Sequence, residues 1–86
     1  MFRQSMRIKS DLLPIFSERF SRLTINKKHR ELAELYNVSS SAISNWKNGK
    51  TMPSIDMLWN IAVFEEVTID WLIGLSDNMK NELLFL

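Results

Sequence analysis

Apolar residues recur along this chain at the three-to-four-residue spacing of helices, with no stretch of strict alternation, so five helices and no strand are predicted. Pro14 suits the first position of a helix, where its missing N–H costs nothing, and Phe16, Phe20 and Leu23 then share one face. Ser10 is a second candidate cap, for an earlier start. The next helix is "NKKHRELAELY", with Asn26 as N-cap, Leu32, Leu35 and Tyr36 facing inward, and Ala33 where a small residue is wanted. Asn37 breaks the period, since it tolerates the left-handed backbone of a sharp turn, and Val38 plugs the corner. Ser39 caps a third helix over 39–48, with Gly49 just past its end. Ser54 caps the fourth, with Asp56 in its first turn and Ile55, Leu58, Ile61 and Ala62 as its stripe. Thr68 caps a short fifth helix, "IDWLI", which Gly74 stops. Trp46, Trp59 and Trp71 fall at core spacing and read as packing rather than a base-stacking platform. Short connections throughout imply a compact all-α bundle.

Composition narrows this further. Of 86 residues, 45% are hydrophobic and 24% charged, with two Gly and two Pro, which describes one small globular domain rather than a disordered chain. The absence of Cys excludes a disulfide framework and a thiolate metal site. The longest apolar runs, 61–64 and 83–86, are far too short to span a bilayer, so a soluble, cytoplasmic protein without a membrane partner is expected. An enzyme is not expected. There is no Ser/His/Asp or Cys/His arrangement, no glycine-rich phosphate loop and no HExxH, and the acids are scattered over helix surfaces. With His29 the sole histidine, no metal, cofactor or small-molecule ligand is expected either.

Charge is divided unevenly. Residues 1–50 carry ten Lys or Arg against four acids, +6, while 51–86 carry one against six, −5, together the net +1. Such a split suggests a basic half that faces a polyanion.

The third predicted helix has an unusual outer face. In "VSSSAISNWKNGK", Ile43 and Trp46 share a buried side, which leaves Ser and Asn where Glu, Lys or Arg would be better helix formers. Short hydrogen-bonding side chains let a helix approach another polar surface closely.

These residues carry a resemblance. "LAELYNVSSSAISNWKNG" resembles the helix-turn-helix of phage repressor and Cro-type regulators, the xenobiotic-response-element-like family, and "MPSIDMLWNIA" with "VTIDWLIGLSD" looks like that family's fourth and fifth helices. It covers residues 14–77 and implies a five-helix, lambda-repressor-like DNA-binding domain between an arm at 1–13 and a tail at 78–86. The implied function is sequence-specific binding of a double-stranded DNA operator by a transcriptional regulator, a phage or mobile-element repressor or Cro-like protein.

By the resemblance, helix 39–48 enters the major groove. Ser40, Ser41, Ser44 and Asn45 match base-facing positions, and Asn45 is the best single reader because an amide pairs with adenine in a bidentate way. Asn48, Lys50 and Thr51 match phosphate-contacting positions, His29 stands where the family often has a phosphate-touching Gln, and Lys27 and Lys28 reach the same backbone. Lys47 stands where many relatives have a Glu paired with an Arg on the first helix; it cannot make that pair and is assigned to phosphate. The link "TIN" is shorter than the common family form, and Glu65 and Glu66 replace an apolar residue and a Gly or Asn at the end of the fourth helix. A left-handed Glu66 there would cost about 1 kcal/mol or more.

A homodimer is expected, since one such module buries little DNA surface. Its candidate seam is Trp71, Leu72 and Leu75 with Leu84 and Phe85 of the apolar tail; the alternatives are a tail folded over its own core or one cut from a larger protein. Two other functions remain open on the same fold: the autoregulatory antitoxin of a toxin–antitoxin pair, and a protein–protein adaptor that has lost DNA binding.

Overall fold

A computed structural model describes residues 9–80. Five α-helices and no strand occur among the described residues: α1 Lys9–Leu23, α2 His29–Tyr36, α3 Ser40–Lys47, α4 Ile55–Glu65 and α5 Ile69–Ile73. Helix α2 packs on α3, α1 lies against α3 and α5, and α4 closes on α2 and α5.

Most helix ends follow from local chemistry. The hydroxyls of Ser39, Ser54 and Thr68 accept the backbone N–H three residues on, from Ala42, Met57 and Trp71, at 3.0, 3.3 and 3.1 Å. Each satisfies a donor that the first helical turn leaves without a partner. Asn37, Gly49 and Gly74 take left-handed backbone at the ends of α2, α3 and α5. Glu66 does the same after α4, at φ 58°, without the freedom of a glycine.

Two starts differ from expectation. Helix α1 includes Lys9 and passes through Pro14, whose ring is exposed, instead of opening there. Asp11 lies in its first turn, where the helix dipole favours an acid, and half-buried Leu13 extends the Phe16–Phe20 face backwards. Helix α2 is capped at Lys28 rather than Asn26. Lys27 N–H donates to the Thr24 carbonyl in a turn, and the Glu31 carboxylate reaches back 2.8 Å to accept Lys28 N–H. The link is therefore residues 24–28, longer than "TIN".

Phe16, Phe20, Leu32, Ile43, Ile61 and Leu72 are fully buried. Phe20 is the hub: its ring stacks on Phe16 at 5.4 Å, meets Trp46 edge-on at 5.8 Å and tilts towards Tyr36 at 6.5 Å. Thr24 is buried among them without cost, because its hydroxyl donates to the Phe20 carbonyl at 2.8 Å. Leu35, Ile55 and Trp59 do not join this core, and Trp59 is 64% exposed. The core accepts one side of α4, Leu58, Ile61 and Ala62, and Trp59 is turned about 100° from Leu58.

Trp71 and Leu72 are buried within the chain's own core, 3% and 0% exposed, so neither can supply a dimer seam; Leu75 is exposed. Leu84 and Phe85 lie outside the described residues. Before them the chain runs back along α5: Thr68 N–H donates to the Met79 carbonyl at 2.9 Å, and Met79 packs on the core. Arg19 of α1 fastens this return by donating to the carbonyls of Trp71 and Ser76 and to the Asp77 carboxylate, while its guanidinium lies 4.9 Å from the Trp71 ring centre. No described helix is long and apolar enough to cross a membrane.

Candidate nucleic-acid interface

Helix α3 is held from behind. Ile43 and Trp46 are buried, so the opposite side must face out: Ser40 and Ser41 are exposed, and Ser44 and Asn45, one turn on, are half-exposed. The i to i+4 spacing stacks Ser40 over Ser44 and Ser41 over Asn45 on one face. The Asn48 amide donates to the Ser44 hydroxyl at 3.3 Å. That occupies a lone pair of Ser44 and leaves its proton free to donate outward.

The far end of α3 is fixed as firmly. Gly49, at φ 72°, lets the chain reverse, and Lys50 N–H donates to the Asn45 carbonyl at 2.9 Å. Ser17 of α1 donates to the Lys47 carbonyl, tying the last turn of α3 to the first helix. Lys50 and Thr51 follow on exposed backbone. Lys47 is half-buried, and desolvation lowers its ammonium pKa below the usual lysine value.

At the other end of the motif, Lys27, Lys28 and His29 are all exposed at the start of α2. Arg30, which sequence reasoning left out, is exposed on the same turn. These cations cluster at the positive end of the α2 dipole and make an anion-facing corner, in which the Glu31 carboxylate is engaged on Lys28 N–H.

Behind this corner lies a group whose role the sequence did not reveal. The Tyr36 hydroxyl donates to the Glu65 carboxylate at 3.5 Å, bridging α2 and α4. Burial raises the Glu65 pKa, opposed by the charge of Lys27 and by the Tyr36 bond. Burial, with the Glu65 charge beside it, raises the Tyr36 phenol as well. Ser17 and Arg19 were also missed, because their partners lie 30 and 52–58 residues away and nothing local marks them. Among the described residues, no group of three or more His, Cys, Asp or Glu gathers to hold a metal ion.

Two short helices joined through a left-handed Asn37, the second with a polar outer face and both backed by one core, define a helix-turn-helix protein of lambda-repressor-like fold. The helix-turn-helix family model matches residues 22–72, more than half of the chain. The chain belongs to this Cro/C1-type helix-turn-helix family. It is also similar to the HTH-type transcriptional activator BcrR of Enterococcus faecalis, 40% identical over 61 residues. That match covers 69% of this chain and 30% of BcrR, so the chain spans under a third of that relative's length. No solved structure matches the chain.

Proposed function

We propose that this chain is the sequence-specific DNA-binding domain of a transcriptional regulator, with α3 in the major groove of a double-stranded operator. The observation that carries the reading is the outer face of α3, Ser40, Ser41, Ser44 and Asn45, short and polar where a solvated helix would carry long charged side chains. Asn45 reads a base, the serines read or position, and Lys27, Lys28, His29, Lys47, Asn48, Lys50 and Thr51 hold the phosphates on either side. Repression by occupancy, of the kind the resemblance to phage repressor and Cro-type regulators implies, is the mode this reading assigns to the chain; the BcrR name gives that relative as a transcriptional activator. Two copies then read an inverted repeat with half-site centres about 34 Å apart.

Selection of bound sites from random duplexes, followed by titration at several salt concentrations, tests this. Three or four charged phosphate contacts per subunit predict a slope of log K against log salt of about −5 to −7 for a dimer. An adaptor without DNA function would select no site and show a slope near zero.

A further inference from the structure

Helix α4 carries more apolar surface than its own core can cover. Eight of its eleven residues are apolar, a composition expected of a helix buried on all sides. Yet Trp59, Val63 and Phe64 are 64%, 63% and 52% exposed. Trp59 stands between two hollows. One is walled by Leu35, Val63 and Phe64 with the amides Asn37 and Asn60; the other lies towards the start of α5.

We infer that this α2–α4 face is the seam on which a second copy of the chain docks, in a two-fold arrangement that seats each Trp59 in the Leu35–Phe64 hollow of its partner. A two-fold contact requires one patch to carry both the projection and the recess that receives it, and here they are adjacent. The charge pattern agrees. The residues around the larger hollow bear no charge, so it receives an uncharged ring without repulsion, while Asp56 lines the other hollow beside Trp59. Asn37 and Asn60 each offer donors and an acceptor, and so can pair with their own images. None of this face's residues belongs to α3, so pairing leaves Ser40, Ser41 and Asn45 open. This seam replaces α5, whose Trp71 and Leu72 are consumed by the monomer. It gives a place to the dimer proposed above but rests on no DNA contact, and is tested without DNA.

The chain contains its own reporter. Trp46 and Trp71 are 5% and 3% exposed, so acrylamide quenching in the monomer reads mainly Trp59. The experiment combines sedimentation equilibrium of the 86-residue chain with quenching over the same concentration range. The expected result is association accompanied by loss of quenching, with Trp59→Glu and Val63→Glu each weakening association by at least about tenfold at unchanged helix content. Trp59→Phe should associate better than Trp59→Glu, because it keeps an aromatic group for the hollow. Four results overturn the inference: no association; association with quenching unchanged; quenching protection independent of concentration, which means the chain covers Trp59 itself; or association that survives both Glu variants but is lost on deleting residues 81–86. Half-site binding by the Glu variants is measured separately, so failure of the seam and failure of the DNA reading are distinct outcomes.

Discussion

Arg19→Met removes the guanidinium that fastens the chain after α5 to α1, while keeping a side chain of comparable reach for the half-buried site. Arg19 donates to two backbone carbonyls, Trp71 and Ser76, from a side chain only 15% exposed. Charge-assisted bonds of this kind contribute about 1.5–3 kcal/mol, and the guanidinium over the Trp71 ring adds about 0.5–1 kcal/mol. Because these terms share one group they do not add fully, and the loss should be about 2–4 kcal/mol. The ion pair contributes little of this, since the Asp77 side chain is 88% exposed and the 3.3 Å contact lies in water. Asp77→Ala should therefore cost under about 0.5 kcal/mol. Arg19→Lys should fall between, having one ammonium to share between two carbonyls and no planar group to lie on the ring. Urea denaturation followed by far-ultraviolet circular dichroism measures all three variants. In a domain of this size each kcal/mol moves Tm by about 4–8 °C, so Arg19→Met should melt at least about 8 °C lower. A loss below about 1 kcal/mol for Arg19→Met, or an equal loss for Asp77→Ala, refutes the backbone clasp.

Asn45→Ala should lose about 1–3 kcal/mol on the selected site and relax choice at one base position, whereas Lys50→Ala should weaken all sequences alike and reduce the salt slope by about one unit, both read by binding titrations. Wild-type affinity for the selected site in Asn45→Ala would show that α3 is read in the wrong register. Glu66→Gly should stabilise the fold by up to about 1 kcal/mol in urea, because glycine holds the observed left-handed φ of 58° without Cβ strain; a loss would mean that the Glu66 side chain contributes something the backbone argument omits. Glu65 titrates above its ordinary value of 4.5 in the folded chain, so between that value and the folded one the native state binds more protons than the unfolded state, and stability falls as pH rises through the window. Glu65→Gln, which keeps an acceptor for Tyr36, should cancel that fall, and its Tm relative to the parent should rise from acid to neutral pH; parallel Tm curves would contradict the burial of Glu65.

What the sequence determined by itself was most of what neighbours along the chain carry. The caps at Ser39, Ser54 and Thr68 and the turns at Asn37 and Gly74 rest on contacts within a few residues, and each lies where its local pattern places it. The polar face of α3 was legible for the same reason, since burying Ile43 and Trp46 commits the other side of one helix. Periodicity gave less guidance where its contrast weakened. In α4 nearly every position is apolar: the stripe of Leu58, Ile61 and Ala62 was legible, but only the packing against α2 and α5 decided that Ile55 and Trp59 stay out. Pro14 and Asn26 misled because each suits a helix start, and what overrode them was apolar burial along α1 and the Glu31 carboxylate closing α2 at Lys28. Ser17 and Arg19 became functional supports only when folding brought carbonyls 30 and 52 residues away within hydrogen-bond reach. Tertiary structure also moved the surplus apolar surface from α5 to α4: a five-residue helix with Trp71 and Leu72 is filled by its own domain, and an eleven-residue helix apolar on most sides is not.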